Sequence, residues 1–529
     1  MKKFKNILTL KSKDAMDFFL KSEQYHGFEL PEYFNFDNVL KAVAKSVGNK
    51  RYDECLSDVS PEELSDVNLD ILLNKDGRYA VRPIILANPY LYFFLVRELC
   101  NAKGWKTVKD CFRKFTLPHI ASCALPVIPE KTESFHKSTT ILNWWNAIEQ
   151  RSLELSLEYR YMFVTDITNC YGSINPETID WALSLKGTEY ATDNNHALAQ
   201  NIIRYIRALQ QGRNIGIPQG SAIFDFVGEI ILGYSDLLLH NRLKEYGIKE
   251  YEILRYRDDY RIFCNDMDTL EKISYILQDV LESLNFRMNS NKTRISQSIV
   301  MDSLKTDKLW YIENTPIFNK KGVDFDSVEK HLFYILMFGR KFPNGGQLKV
   351  MLSDLDKRVQ EHLEPQNSSD ETKNADNESQ EDRYIPGGSV RAMSAVATQI
   401  ALENVSASHY ALRVLSRMVD SLKSDKEKVD IIQKVYDKLR HQPNSTYSQL
   451  WLQNITYQRD KKQRKSPPVY DMRLCRLVMG EKVDIWNNSW LKPEITNLLS
   501  LDTIVDKETL KNVTPVITFR ETRAYMEIY

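Results

Sequence analysis

One short stretch, Tyr251–Cys264 (YEILRYRDDYRIFC), constrains the fold of this chain more than any other. Two runs rich in β-branched and aromatic residues flank the centre Arg257-Asp258-Asp259, and this pattern predicts a β-hairpin. Adjacent carboxylates at a hairpin tip repel each other and lose hydration, and a divalent cation between them removes that strain. An acidic surface turn is the alternative for an isolated Asp-Asp pair, so the rest of the chain must decide.

A third carboxylate follows a second apolar run upstream. Residues Tyr161–Ile167 (YMFVTDI) are β-prone, and Asp166 comes near the end of this predicted strand. A buried strand that ends there places its carboxylate beside the hairpin tip. Asp166, Asp258 and Asp259 together suit two Mg²⁺ ions, with Mn²⁺ as an alternative. One ion activates an attacking hydroxyl and the other binds the leaving pyrophosphate.

The order of the motifs resembles the fingers and palm of a reverse transcriptase over about residues 71–312. The segments similar to its motifs A to E are Asp166–Tyr171, Gly216–Ser221 (GIPQGS), Tyr256–Asp259 (YRDD), Leu284-Asn285 with Lys292, and Leu309–Tyr311. The stretches RYRDDYRIF, CYGSI and RPIILANPYLYFFLV are similar to bacterial abortive-infection and defence-associated reverse transcriptases, the unknown-group enzymes. The resemblance implies an α+β right-hand polymerase. Its palm has a ferredoxin-like βαββα core, and an α-helical thumb and a C-terminal helical array follow.

The resemblance also implies roles for single residues. Asp166, Asp258 and Asp259 hold the metals, and Lys292 protonates the leaving pyrophosphate. Tyr171 lies under the sugar of the incoming nucleotide, where its ring clashes with a 2′-hydroxyl and so selects deoxynucleotides. A buried structural tyrosine and an exposed lysine are the alternative interpretations.

The nucleotide-binding loop and the fingers supply the remaining candidates. By the same resemblance, we expect Gln219 and Gly220 to brace the incoming nucleotide, and Arg78 and Arg82 to contact template or triphosphate; a solvated or paired side chain is the alternative for each arginine. Phe224 and Arg257 depart from the family pattern, which more often has a small hydroxyl residue and a small or aliphatic residue there.

A basic segment precedes the palm motifs. Its cations and its interleaved aromatic residues are Lys103, Lys106, Lys109, Arg113 and Lys114 with Trp105, Phe112 and Phe115. Such a pattern suits a phosphate backbone with stacked bases. A solvated helix face is the alternative.

Composition restricts the class of protein. The 529 residues contain 71 Lys+Arg and 71 Asp+Glu, so a nucleic-acid partner requires a local basic surface. Seven cysteines without a C-x-x-C pair indicate a reduced protein without structural zinc. The N-terminus has no signal-peptide pattern, and the chain has no apolar run long enough to span a membrane. We therefore expect a soluble, cytoplasmic protein.

The chain divides into five predicted parts. Residues 1–70 form an N-terminal helical extension, 71–312 the fingers and palm, and 313–363 a helical thumb-like region. Residues 364–389 are an acidic linker or loop, and 390–529 a C-terminal α-helical domain.

These features predict an RNA-directed, or untemplated, DNA polymerase that uses dNTPs. By resemblance it acts in antiphage defence, binds RNA as template or as an associated non-coding RNA, and forms a homo-oligomer, either a trimer or a hexamer. DNA priming on a tyrosine is a further implication, with Tyr525 and Tyr529 as candidates and Tyr447, Tyr457 and Tyr470 as others.

Three alternatives stay open at this point. The chain is also compatible with a retron or group II intron reverse transcriptase. The palm motifs are shared with RNA-dependent RNA polymerases, although Tyr171 argues against that class. A catalytically idle RNA-binding scaffold is the third, and the intact carboxylate triad argues against it.

Overall fold

The structure is a computed structural model that describes residues 5–74, 80–128, 140, 143–314, 328–363, 389–440, 442–462, 470–496 and 504–522. Nearly all of the predicted acidic linker at 364–389 lies outside these ranges. The division of the chain into five parts stays a prediction.

The first part of the chain is mainly helical. Its elements are β1 (Lys5–Asn6), α1 (Ser12–Phe19), α2 (Ser22–Tyr25), α3 (Asp37–Val47) and α4 (Tyr52–Cys55). In α3, Val39, Val43 and Val47 recur at helical spacing and are buried together. The extension is therefore packed into the common core rather than projecting from it.

A hairpin and two helices follow. They are β2 (Leu69–Asn74), β3 (Val81–Leu86), α5 (Pro89–Cys100) and α6 (Ala102–Phe115). Strands β2 and β3 pair antiparallel. The Asn88 side chain accepts a hydrogen bond from the Tyr90 amide at 3.0 Å, and Pro89 occupies the first helical position of α5. The predicted extended stretch and the predicted helix start at Asn88-Pro89 are both confirmed.

The aromatic residues of α6 form its buried face. Trp105 and Phe112 pack on Phe226 with ring centroids 5.7 and 5.5 Å apart. Base stacking on these rings, one of the two interpretations of the basic segment, is wrong because helical spacing turns the aromatics inward. Lys103, Lys106, Arg113 and Lys114 are exposed, whereas Lys109 is half-buried and donates to the Leu10 carbonyl at 3.4 Å.

The central sheet has five strands. The structure contains both the predicted hairpin and the predicted buried strand. In chain order, the strands of this region are β4 (Ile120–Ser122), β5 (Val127–Ile128), β6 (Tyr161–Asp166), β7 (Glu252–Tyr256), β8 (Asp259–Cys264) and β9 (Arg294–Ser296), and all except β5 belong to the sheet. The sheet order is β4-β7-β8-β6-β9, with β4 parallel to β7 and the other pairs antiparallel. Strand β5 pairs with β1 instead.

Six helices connect or flank these strands. A π-helical stretch, Trp145–Gln150, leads into α7 (Arg151–Leu155), followed by α8 (Cys170–Ser173), α9 (Thr178–Leu183), α10 (His196–Ala208), α11 (Ala222–Glu245) and α12 (Met267–Ser283). The succession β6, α11, β7, β8, α12 and β9 has the ferredoxin-like β-α-β-β-α-β form. The predicted α+β class and ferredoxin-like core are confirmed.

Helices dominate the rest of the chain, as predicted. They are α13 (Ile299–Asp302), α14 (Thr306–Asn314), α15 (Val328–Lys341), α16 (Gly346–Leu363), α17 (Val390–Glu403), α18 (Ser408–Asp420), α19 (Asp425–Arg440), α20 (Thr446–Lys462), α21 (Arg473–Val478), α22 (Pro493–Thr496) and α23 (Lys507–Lys511). Within the described ranges, none of the helices combines the length and the apolar character needed to cross a membrane.

The C-terminal helices pack back onto the N-terminal extension. The Tyr447 hydroxyl donates to the Glu29 carbonyl at 2.9 Å, and the Ser57 amide donates to the Trp490 carbonyl at 2.9 Å. Both ends of the described chain therefore share one hydrophobic core.

Candidate active site

Backbone pairing brings the three candidate carboxylates together. Asp166, the last residue of β6, pairs directly with Asp259, the first residue of β8. The Ile167 amide donates to the Asp258 carbonyl at 3.1 Å, so the strand end and the hairpin tip are also joined beyond the ladder. Side chains opposite each other in an antiparallel pair lie about 4.5–5.5 Å apart at Cβ. The register between β6 and β8 thus determines the spacing of Asp166 and Asp259.

These carboxylates line a cavity of about 880 Å³. Lys292 lines the same cavity, as do residues of the segment 302–308 and of the loop 342–346 between α15 and α16. Besides Lys292, the cavity lining contains six cations: Arg257, Arg261, Arg294, Lys305, Lys308 and Lys341. The lining also contains the acids Glu149, Asp302 and Asp307, and its cations suit the phosphates of a nucleotide or nucleic-acid strand.

The electrostatics of the three acids differ. One carboxylate oxygen of Asp166, Oδ2, accepts a hydrogen bond from the Lys292 ammonium at 2.7 Å, whereas Oδ1 is buried without a hydrogen-bond partner. Asp259 is open to the cavity, yet the surrounding walls desolvate it, and with the charge of Asp258 they raise its pKa to about 6. Desolvation also raises the pKa of Asp258.

The negative charge of these three carboxylates is suited to binding a divalent cation. Carboxylate oxygens are the donors that Mg²⁺ and Mn²⁺ prefer, and a cation lowers the cost of holding three acids close together. In the part of the chain that the structure describes, no three His, Cys, Asp or Glu side chains already form a metal-binding cluster. The unpartnered Oδ1 of Asp166 is the atom that points to a ligand role.

Tyr171 lies in α8, next to the strand end that carries Asp166. It is buried, and its hydroxyl donates to Oδ1 of Asp225 at 3.0 Å. A Cβ atom on Gly228 would lie 3.2 Å from the Tyr171 ring, so the ring rests against the backbone of α11. Burial, then the charge of Asp225, raises the pKa of Tyr171 well above its ordinary value.

The Gly216–Ser221 loop is held from two sides. The Ile85 amide of β3 donates to the Gln219 carbonyl at 2.9 Å, and the Gly27 amide donates to the Gly220 carbonyl at 2.6 Å. Gly220 has a φ of +120°, and a Cβ atom there would lie 2.6 Å from Ile84 Cγ2. Only glycine fits this position, and the N-terminal extension contacts the loop directly.

The remaining predicted site residues are not part of this cavity. Arg82 is exposed on β3. Tyr171, Gln219 and Gly220 are absent from the cavity wall. Arg78, Tyr525 and Tyr529 lie outside the described residues.

The other three tyrosines considered for priming are buried among the C-terminal helices. Tyr447, Tyr457 and Tyr470 are at most 7% exposed, and none lines the catalytic cavity. Priming by one of these tyrosines stays a prediction.

Sequence reasoning missed the charge network behind the hairpin. Arg255 of β7 is fully buried and forms ion pairs with Glu229 at 2.9 Å and Asp236 at 2.8 Å, both on α11. It also donates to the Arg257 carbonyl at 3.1 Å. Burial opposes the charge of Arg255, but the two carboxylates raise its pKa well above the ordinary value. An arginine inside the apolar run EILRY, with acids seven residues apart on a helix, was the available signal.

A known protein family matches the middle part of this chain. Residues 108–325 match the model of the family described as reverse transcriptase (RNA-dependent DNA polymerase), and this range contains every predicted palm motif. None of the curated proteins compared with the chain matches it.

Telomerase structures are among the similar solved ones. The telomerase of Candida albicans in complex with a fragment of telomeric RNA is 11% identical, over 75% of this chain and 70% of that one, with a TM-score of 0.30. The apo telomerase of Candida tropicalis is 14% identical, over 75% of this chain and 74% of that one, with a TM-score of 0.29.

Proposed function

We propose that this chain, an RNA-directed DNA polymerase by virtue of its reverse transcriptase domain, extends a primer hydroxyl with dNTPs at the cavity lined by Asp166, Asp258 and Asp259. The observation that carries the proposal is the set of three carboxylates on one cavity wall, with Oδ1 of Asp166 buried and unpartnered. We propose two Mg²⁺ ions as the cofactor and the three aspartates as their ligands. When bound, the ions lower the pKa of the attacking hydroxyl and stabilise the charge of the leaving pyrophosphate.

The chain's own residues then have distinct tasks. The primer 3′-hydroxyl loses its proton to water, its oxygen attacks the α-phosphorus, an O–P bond forms, and the bond to pyrophosphate breaks. Lys292, held at 2.7 Å from Asp166, donates a proton to the departing pyrophosphate. Its position on the cavity wall supports this role.

The nucleotide side of the site selects the sugar and holds the base. We assign the sugar gate to Tyr171, and the bracing of the nucleotide to Gln219 and Gly220. Support comes from the rigid attachment of that loop to Ile85 and Gly27. We assign triphosphate or template contact to Arg82 and Arg78, which both belong to the predicted fingers.

The biological setting is proposed from the sequence resemblance alone. We propose a cytoplasmic antiphage enzyme that binds an RNA, copies it or extends DNA without a template, and assembles as a trimer or hexamer. Priming on Tyr525 or Tyr529 belongs to the same proposal.

Incorporation by the purified full-length chain tests the function. Each labelled dNTP and NTP is supplied with Mg²⁺, with and without proteinase digestion, and Asp258→Ala/Asp259→Ala is run in parallel. We expect deoxynucleotide polymer that the double variant does not make, and a mobility change after proteinase if a tyrosine is the primer. Ribonucleotide polymer would indicate an RNA polymerase instead, and no polymer from protein with its native RNA would support the scaffold alternative.

A further inference from the structure

Asp225 lies at the junction of the two halves of the proposed active site. Its Oδ1 accepts the hydrogen bond from the Tyr171 hydroxyl at 3.0 Å, and its Oδ2 accepts one from the Arg257 guanidinium at 2.6 Å. Tyr171 is the proposed sugar gate, and Arg257 is the residue directly before the two metal-binding aspartates. One carboxylate therefore holds both.

The environment makes this connection rigid. The Tyr171 ring rests on the α11 backbone at Gly228, one helical turn after Asp225. Arg257 has a φ of +55°, the left-handed conformation, which fixes the backbone at the hairpin tip. Its carbonyl accepts a hydrogen bond from Arg255, which Glu229 and Asp236 hold from the same helix.

One stripe of α11 carries all of these contacts. Asp225, Gly228, Glu229 and Asp236 follow a spacing of three, one and seven residues, which puts them on the same helix face. This face meets Tyr171 near its N-terminal end and the β7–β8 hairpin along its length. The gate and the metal-bearing tip are thus positioned against a single rigid surface.

We propose that Asp225 is a positioning residue that determines sugar specificity: it fixes the ring of Tyr171 under the nucleotide sugar, and through Arg257 it keeps that ring in register with the metal-bearing tip. This inference rests on the proposed function, because it takes Tyr171 as the gate of a DNA polymerase. Without Asp225, the Tyr171 ring gains freedom beside the sugar and a 2′-hydroxyl is tolerated.

The test is the ratio of kcat/KM for dGTP to that for GTP, measured on the full chain. We expect Tyr171→Ala to lower this ratio by about 100-fold or more and Asp225→Ala by about 10-fold, on the scale of one charge-assisted hydrogen bond. Asp225→Asn keeps an acceptor for the tyrosine and should lose less. Glu245→Ala, at the exposed far end of α11, is the matched control and should leave the ratio unchanged.

A double-mutant cycle separates positioning from general damage to the fold. If Asp225 acts through the Tyr171 hydroxyl, Tyr171→Phe/Asp225→Ala should lower the ratio no further than Asp225→Ala alone. Equal losses for dGTP and GTP in Asp225→Ala, with a full loss of discrimination in Tyr171→Ala, would overturn the inference and leave the gate intact. An unchanged ratio in Tyr171→Ala would show that Tyr171 is not the sugar gate, and would overturn the role of Asp225 with it. Equilibrium binding of dGTP and GTP to the same variants gives the same comparison without turnover.

Discussion

The palm and the C-terminal helices each bury arginine side chains among carboxylates, in opposite proportions. In the palm, one cation, Arg255, lies between Glu229 and Asp236. In the C-terminal helices, one carboxylate, Asp356 of α16, lies between two cations of α18. Asp356 accepts from Arg413 at 2.5 Å and from Arg417 at 2.8 Å.

The two networks differ in what they hold. Arg255 extends to the carbonyl of Arg257, and so fixes the hairpin that carries the candidate metal ligands. Arg413 extends to the Thr522 hydroxyl and so fixes a C-terminal segment against α18. Buried ion pairs are weak evidence for net stability, but breaking one leaves a costly unpaired charge. Similar buried charge clusters therefore have different functions, and the function of each depends on the element that it holds in place.

The largest effect on activity should come from the acids themselves. Asp258→Asn with Asp259→Asn should reduce incorporation at least about 10³-fold, because the metal ions contribute several kcal/mol to the transition state. The pKa of Asp259 is raised to about 6, above its unfolded value, so its ionised form opposes folding at pH 7. In thermal unfolding without added metal, the double variant should therefore be at least as stable as the parent chain. Incorporation at the parental rate in this variant would contradict the assignment of Asp258 and Asp259 to the active site.

Substitution of Lys292 tests whether this residue donates a proton or only supplies a positive charge. Lys292→Arg preserves the charge beside Asp166 but holds its proton too tightly to give it to pyrophosphate. We expect kcat to fall about 100-fold, the usual scale of general acid catalysis, with little change in KM. Lys292→Met, which also removes the ion pair, is the comparison variant. A parental kcat in Lys292→Arg would assign the lysine to electrostatics alone.

A matched pair of substitutions tests the two networks directly. Arg255→Met and Asp356→Asn each leave buried charges unpaired, and each should lower the free energy of unfolding by about 3–5 kcal/mol. Measured well below the unfolding temperature, activity per folded molecule should fall in Arg255→Met and stay at the parental level in Asp356→Asn. Equal activity per folded molecule in the two variants would contradict the difference in function between the two networks.

The smallest effect concerns the N-terminal extension, which contacts both regions. Gly27→Pro removes the amide that binds the Gly220 carbonyl and should raise the KM for dNTPs about 3- to 10-fold, the scale of one hydrogen bond. Gly27→Ala is the control, since a Cβ atom there meets its nearest neighbour at an ordinary 3.5 Å. Tyr447→Phe, which removes the bond to Glu29, should cost about 1 kcal/mol of stability and leave KM unchanged.

Local patterns predicted the parts of this molecule that are local. The hairpin at Tyr251–Cys264 and the helix start at Asn88 depend on residues adjacent in sequence, and both are as predicted. The assignment of Asp166, Asp258 and Asp259 as ligands stays a prediction, although the strand register brings them to one cavity wall.

What sequence reasoning missed depends on contacts between distant residues. Asp225 gains its role only when Tyr171 and Arg257 arrive from other elements, and no spacing within the chain signals that meeting. The contact of Gly27 with Gly220 is equally invisible in the sequence. In α6 the helical period was the overlooked signal, because it brings Trp105, Phe112 and Phe115 together on the buried face.

The return of the C-terminal helices to the N-terminal extension affects the timing of synthesis. Residues 35–57 bind Trp490, Ile495 and Ile504, and these three partners leave the ribosome late because they lie near the end of the described chain. At about 5–20 residues per second, a nascent chain waits about 20–100 s before these contacts can form. During this interval the apolar side of the extension lacks these partners. We expect polymerase activity to appear only after residues 490–504 have left the ribosome, and refolding from denaturant to be slow because the contacts span most of the chain.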